Sequence, residues 1–350
     1  MHRTRNTSLI ALTTTAAILL AGCSTPPANS PQPAGDQLVS DGTFTLYSGR
    51  SETLVQPLID IFEQQTGITV DVRYGNTAEL GALLLEEGDR TPAHAFLSQD
   101  AGALGALANA GLFAPLPAEI TDRVPAGFTS TDDSWVGVTG RARVIVYDGD
   151  EFTPEEMPAS VDAFTDPGWS GRFGIAPTNA SFQSFITAYR VLNGEAAADE
   201  WLAGIVANDP QLFENNGAIL TAVGEGVIDA GLINHYYWFR QAAEAGEVNM
   251  RAQLAYPAAG DSGSIVNVTG AGLLSAGATD ADALEFIEFL VSADAQKYFV
   301  EETFEYPLVA GVDAPEGLPT LESLVNPDLD LADLESLETT QALLEKHGLI

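Results

Sequence analysis

The sequence predicts an α/β protein of two lobes, each a sheet covered by helices. Strand-like and helix-like stretches alternate along the chain, which is the pattern of a parallel sheet with crossover helices. Apolar residues switch repeatedly between a spacing of two and a helical spacing. The folded body is about 310 residues long, which is large for one hydrophobic core and suggests two.

Residues 1–22 read as a secretory signal. MHRTRNTS carries Arg3 and Arg5 and no acid. The apolar run LIALTTTAAILLAG follows and is short for a membrane span. Cys23 comes directly after Leu20-Ala21-Gly22, resembles a bacterial lipobox cysteine, and is the only cysteine in the chain. An exported chain with one cysteine has no internal disulfide framework, so Cys23 reads as a lipid attachment point. STPPANSPQPAGDQ (24–37) has the composition of a flexible tether, and residues 23–38 are assigned to anchor and tether.

The body begins with the strand Phe44–Tyr47, ending at Ser48-Gly49. Leu54, Val55, Leu58, Ile61 and Phe62 then repeat at helical spacing until Gly67 stops the run. Ile68–Tyr74 alternates as a strand, 78–87 reads as a helix, His94–Leu97 as a short strand and 101–111 as a helix. Ligands of such sheets bind beyond the C-terminal ends of strands, here Arg50-Ser51-Glu52 and Gln99-Asp100. Gly140–Tyr147 opens the second lobe, with helices at 182–193, 195–206 and 217–225. The strand Ala230–Ile233 leads into INHYYWFR. Residues 264–275 return the chain to the first lobe, and helices near 280–303 and 332–348 finish it. The first lobe is assigned 39–139 plus 268–315, and the second 140–267 plus 316–350.

Charge excludes some partners. There are 14 basic and 49 acidic residues, net −35. Removing residues 1–22 takes away two arginines and no acid, leaving −37. Such a chain does not suit nucleic acid or an anionic membrane surface. The acids are spread along the chain and read as a solvated surface. The three histidines after the signal, His94, His235 and His347, are scattered. No GxSxG, HExxH or P-loop is present. Nothing pairs a nucleophile with a base, so the chain does not read as an enzyme.

INHYYWFR is the unusual stretch. Neighbouring side chains on a helix or strand point in different directions. Tyr236 and Tyr237 would therefore share a site only if the backbone turned irregularly between them; otherwise they are packing.

LYSGRSETLVQPLIDIFEQQTGITVDV, EEGDRTPAHAFLSQDAGALGALANAGLFAPL, TGRARVIVYD, APTNASF, INHYYWFR and EYPL, in that order, resemble the periplasmic ferric-ion-binding proteins. These are the substrate-binding components of iron ABC transporters. The resemblance spans roughly residues 43–310, and NxYYW after a GxIDAxLI stretch is its most specific part. It implies a type II periplasmic-binding-protein fold that closes on ferric iron between two lobes. It also implies a monomer that delivers iron to a membrane permease and its ATPase. Tyr236 and Tyr237 inherit the role of phenolate ligands, which suits a small, hard, highly charged ion.

The sequence departs from the family pattern where some members carry a histidine ligand (here Ser51) and a glutamate ligand (here Gln99, beside Asp100). Other members have a third tyrosine where this chain has Ser181. The remaining coordination would fall to carbonate, phosphate, citrate or water. The matching anion-holding positions are Arg50, Ser51, Asp100, Asn179, Ala180, Ser181, Asn216 and Asn234, with Arg141 a further candidate because a guanidinium holds an oxyanion bidentately. His235 reads as hinge packing or solvent-facing, Asp100 also as a helix cap, and Arg50 also as a partner of Glu52 or another acid. A same-fold receptor for a phosphonate, sugar phosphate or polyamine is the rival reading, and a lipid-anchored adhesive protein a third.

Overall fold

The computed structural model describes residues 37–326, 329 and 331–350. The signal, Cys23 and all but the last two residues of the tether lie outside them. Strands β1 (Thr43–Ser48), β2 (Thr69–Tyr74) and β3 (Ala95–Ser98) are parallel, in the order β2-β1-β3, as the alternating pattern implies. Helix Glu52–Thr66 connects the first two and buries Leu54, Val55, Leu58, Ile59 and Phe62. Ile61, expected on that face, is exposed instead. Val55, Leu58, Ile59 and Phe62 fall at i, i+3, i+4 and i+7, which is the stripe a helix presents to a sheet. Gly67, at φ 77°, ends the helix by donating its N–H to Glu63 O at 2.9 Å. That left-handed conformation is one glycine adopts without steric cost.

β4 (Val136–Asp148) links the two halves of the fold. The other strands are β5 (Phe173–Ile175), β6 (Gln211–Leu212), β7 (Ala230–Asn234), β8 (Ala252–Ala255), β9 (Val266–Leu273) and β10 (Tyr306–Pro307). The path runs β2-β1-β3-β9-β4-β7-β5-β6, with β8 and β10 also paired to β4. The parallel expectation holds for β1–β3 and again in the other half, where β5 is parallel to β6 and β7, but not for the strands that join them. β9 is antiparallel to β3, and β4 is antiparallel to β9, β7, β8 and β10. Residues 136–142 of β4 pair with β9, whereas Arg143–Tyr147 pair with Asn234–Ala230 of β7. All thirteen residues of β4 are buried, so any charge on it must be used or neutralised. The strand starts four residues before Gly140, where the sequence placed the opening of the second lobe.

Separate aromatic clusters fill the two ends. Phe44, Phe62, Phe286 and Phe289 pack beside β1. Phe185, Tyr189 and Trp201 join the helices Ala180–Asn193 and Glu195–Ala207. The helical stretch expected near 280–303 is divided into the α-helices Ala281–Leu290 and Ala293–Tyr298 and a π-helical turn at Phe299–Thr303. Ser292 interrupts it by capping the second with its hydroxyl. The terminal helix is Leu337–Lys346, preceded by a 3₁₀ turn at Leu331–Glu335. Among the described residues no helix is long and apolar enough to cross a membrane.

Candidate functional site

Helices start where the sequence placed site residues. Ser51 precedes Glu52–Thr66, Asp100 precedes Ala101–Asn109, Asn179 precedes Ala180–Asn193 and Asn234 precedes His235–Ala245. Helix starts of this kind, with their positive dipole ends, favour an anion where first-turn N–H groups are left without a partner. Asp100 does cap its helix, its Oδ1 accepting from Ala103 N at 3.2 Å. Asn179 Oδ1 accepts from the N–H and hydroxyl of Ser181, at 3.0 and 2.7 Å. Asn216 is the first residue of its helix; Asn215 is the cap. Ala180 is buried and can offer only its backbone. Ser51 is exposed, and its helix lacks a side-chain cap.

Tyr236 and Tyr237 occupy the first turn of the regular helix His235–Ala245. No irregular backbone separates them, contrary to the expectation above. Their rings nevertheless stack, with centroids 4.3 Å apart and planes 29° apart. Helical side chains lean toward the N-terminus, so two neighbours in the first turn can tilt over the open helix end and meet. Tyr236 is 1% exposed and Tyr237 half-buried. A Cβ on Gly217, at the start of the neighbouring helix, would come 3.8 Å from the Tyr237 ring. Burial raises the Tyr236 phenol above its usual range; Tyr237 pushes the same way, and Arg50 and Arg141 pull it back. Ionising this phenol in place therefore requires a cation stronger than the arginines already there.

Three guanidiniums surround the pair. Of the twelve basic residues beyond residue 22, Arg50, Arg141 and Arg143 are all buried here. Arg50 lies 5.7 Å from the Tyr236 ring centroid and pairs with Glu305, whose other oxygen takes the Thr139 hydroxyl. Burial works against the Arg50 charge, but Glu305 and the tyrosines outweigh it and leave its pKa raised. Of the expected partners, Glu52 or another acid, the one used is another acid, Glu305. Arg141 Nη2 donates to Val268 O at 3.3 Å, while its Nε and Nη1 have no partner. Burial, with Arg50 beside it, lowers its pKa. Arg143 Nη1 reaches Ser181 Oγ at 3.2 Å, Asn216 Oδ1 at 3.4 Å and Asn234 Oδ1 at 3.5 Å. Its pKa is pushed down to about 9, chiefly by burial. Asp100 is raised by burial, although Arg141 pulls it down.

The Asn267 Oδ1 accepts from Ala101 N and Val268 N, at 3.1 and 2.7 Å, which turns its unpartnered Nδ2 the other way. Gln99 also has a buried amide nitrogen without a partner. Arg141, Arg143, Ser181, Asn234 and Asn267 line one cavity. Buried donors left open in this way have the hydrogen-bonding chemistry an oxyanion needs, while the cavity itself, about 10 Å³, has room for about one water. Sequence reasoning missed Arg143, Glu305, Thr139 and Asn267. Arginine 143 stands two residues from Arg141 inside an apolar strand, and Glu305 stands in the quoted EYPL block; each charge in apolar surroundings was the available signal. Among the described residues no three His, Cys, Asp or Glu side chains gather as a metal site, so a metal held here would rely on the phenols.

His235 is packing, as expected. Its Nδ1 accepts from Ala142 N at 3.1 Å and its Nε2 faces Phe304 O at 2.9 Å, which sets the proton on Nε2. Burial pushes its pKa down to about 4. A group depressed below its ordinary value of 6.5 contributes stability above that pH and loses it as pH falls toward 4. Unfolding stability should therefore drop by roughly 1.5 kcal/mol more between pH 6.5 and 5 in the native chain than in His235→Gln. Urea titrations at the two pH values check this, and equal slopes would contradict it.

The profile of the bacterial extracellular solute-binding proteins matches residues 92–332. The major ferric iron-binding protein of Neisseria meningitidis is 33% identical over 311 residues, 87% of this chain and 93% of that one. Iron-bound HitA from Pseudomonas aeruginosa superposes with a TM-score of 0.83 at 33% identity, over 88% of this chain and 99% of that one. A Trichodesmium protein (IdiA, FutA) in complex with iron and citrate superposes with a TM-score of 0.75 at 29% identity, over 88% and 100%. These relatives are solute-binding proteins rather than enzymes. The chain belongs to the bacterial extracellular solute-binding protein family, in its group of periplasmic ferric-ion-binding proteins.

Proposed function

We propose that this chain captures ferric iron with an accompanying anion and delivers it to an ABC importer through its permease and ATPase. Tyr236 and Tyr237 would be the metal ligands. Their stacking at 4.3 Å beside Arg50 carries the reading, because two phenols in one place can become two hard anionic ligands. The anion would rest on Arg141 and on the ends of the helices begun by Asn179, Ala180, Ser181, Asn216 and Asn234. Gln99, Asp100 and Ser51 would flank it from the loops after β3 and β1.

Charge supports an anion as part of the cargo. Three guanidiniums and a ferric ion carry six positive charges. Two phenolates, Glu305 and an ionised Asp100 supply four negative ones, so two positive charges remain for carbonate, phosphate or citrate to neutralise. Buried charge left uncompensated is strongly unfavourable.

The lobes would be 39–139 with 268–315, and 140–267 with 316–350, hinged on β4 and β9. Closure is driven by contacts the open form lacks. Export would leave the chain as a monomer held to the outer face of the cytoplasmic membrane by lipid on Cys23.

Binding should release about two protons per iron, because each phenol must ionise. Apparent affinity should then fall by up to roughly 100-fold per pH unit as the solution is acidified. Calorimetric titrations in buffers of different ionisation enthalpy measure the protons, and a release near zero would argue against phenolate ligands. Repeating them with bicarbonate, phosphate and citrate would identify the anion. A receptor for an anion alone is the second reading, favoured by the unpartnered guanidinium nitrogens of Arg141. Thermal stabilisation by phosphonates or sugar phosphates without iron would support it.

A further inference from the structure

The C-terminal segment is bonded to one half of the fold and rests on the other. Thr340 Oγ1 lies 2.6 Å from Thr187 Oγ1. Arg190 Nη1 donates to Ser336 O at 3.0 Å and to Thr340 Oγ1 at 2.8 Å. Gln341 Nε2 donates to Gln183 Oε1 at 3.2 Å, and Lys346 and His347 both reach Asp199. All these partners lie on the helices Ala180–Asn193 and Glu195–Ala207.

The contact of the segment with the first half of the fold is mainly apolar. Leu331 and Leu334 are buried in a turn packed on helix Ala101–Asn109 as well as on Ala180–Asn193. Leu337 lines a groove with Ala78, Gly81, Ala82, Ala103 and Ala106, and Glu338 and Gln341 stand at its polar rim. Small side chains there let the segment come close, and the contact with helix Ala101–Asn109 is tight: a Cβ on Gly102 would lie 2.9 Å from Leu334 O and 3.2 Å from Asp100 Oδ1. The same two helices begin at Asp100 and Asn179, at the candidate site.

We propose that the segment Leu331–Leu349 is a closure strut. It travels with the helices Ala180–Asn193 and Glu195–Ala207, and its seat on helix Ala101–Asn109 forms only when the cleft is shut. Polar bonds with specific partners hold it on one side. Apolar, non-directional contact lets it leave and return on the other. This inference rests on the two-lobe closure proposed above. The strut's contact then adds to the closed state alone, so it sets the open–closed balance and, through it, the affinity for ligand.

Two variants of the full chain test this. Leu334→Ala removes apolar contact, and Gly102→Ala drives a methyl into the Leu334 carbonyl while leaving a residue that ordinarily favours a helix. The radius of gyration is measured by X-ray scattering without ligand, alongside titration with ferric nitrilotriacetate in bicarbonate. Both variants should be more expanded without ligand and bind iron roughly tenfold more weakly, with the saturated absorption band unchanged. Unchanged radius and affinity in both would overturn the strut. Should the native chain show no iron band, the iron reading fails, and the strut is judged on the radius alone: expansion in both variants upholds it and no expansion refutes it.

Discussion

Replacing both tyrosines, Tyr236→Phe with Tyr237→Phe, should abolish ferric binding while leaving the fold intact. The rings stack in the first turn of their helix, and phenylalanine keeps that packing and its apolar burial. Only the oxygens are lost. Loss of an outer-shell partner typically weakens metal binding 10–100-fold, so loss of both first ligands should exceed roughly 100-fold. Single substitutions should separate the two residues. Tyr236 is buried, with its phenol held neutral in the absence of a cation, whereas Tyr237 is half-buried. Competition against a chelator of known strength measures all three variants. A double variant that still binds within tenfold of the native chain would remove the tyrosines from the site.

Glu305→Ala should be among the most destabilising single changes in the chain. Glu305 is fully buried and takes both Arg50 and the Thr139 hydroxyl. Removing it leaves the Arg50 guanidinium, itself 2% exposed, without its carboxylate and without water. Breaking a buried ion pair by deleting one member costs about 3–5 kcal/mol. Glu305→Gln retains a hydrogen-bonding oxygen and should cost less. Guanidinium titrations of the three proteins give the comparison through the shift in midpoint at constant slope. A loss below about 1 kcal/mol for Glu305→Ala would show that Arg50 finds another partner or water.

Much of this arrangement is legible in the sequence because local chemistry dictates it. The apolar stripe from Val55 to Phe62, the stop at Gly67 and the alternation of Ile68–Tyr74 lead directly to β1, its helix and β2. Strand-end positions such as Ser51, Gln99 and Asn234 are legible for the same reason. The tyrosine pair is legible as a motif but not as geometry. Its stacking depends on the tilt of side chains at a helix start, which spacing rules for a helix interior do not capture. Arg50–Glu305 is harder still, because its partners are 255 positions apart. No periodicity predicts which acid meets a buried arginine. Arg143 and Asn267 were missed because their role appears only once β4, β7 and β9 lie side by side, with Arg143 opposite Asn234 and Arg141 opposite Asn267.

The central claim is that Tyr236 and Tyr237 bind ferric iron as phenolates. A visible absorption titration of the ligand-free protein with a weak ferric chelate, with and without bicarbonate, phosphate or citrate, tests it most directly. A phenolate-to-iron charge-transfer band should appear, saturate near one iron per chain, sharpen with the preferred anion and vanish in the double phenylalanine variant. Absence of the band under every anion, or its persistence in the variant, would contradict the account.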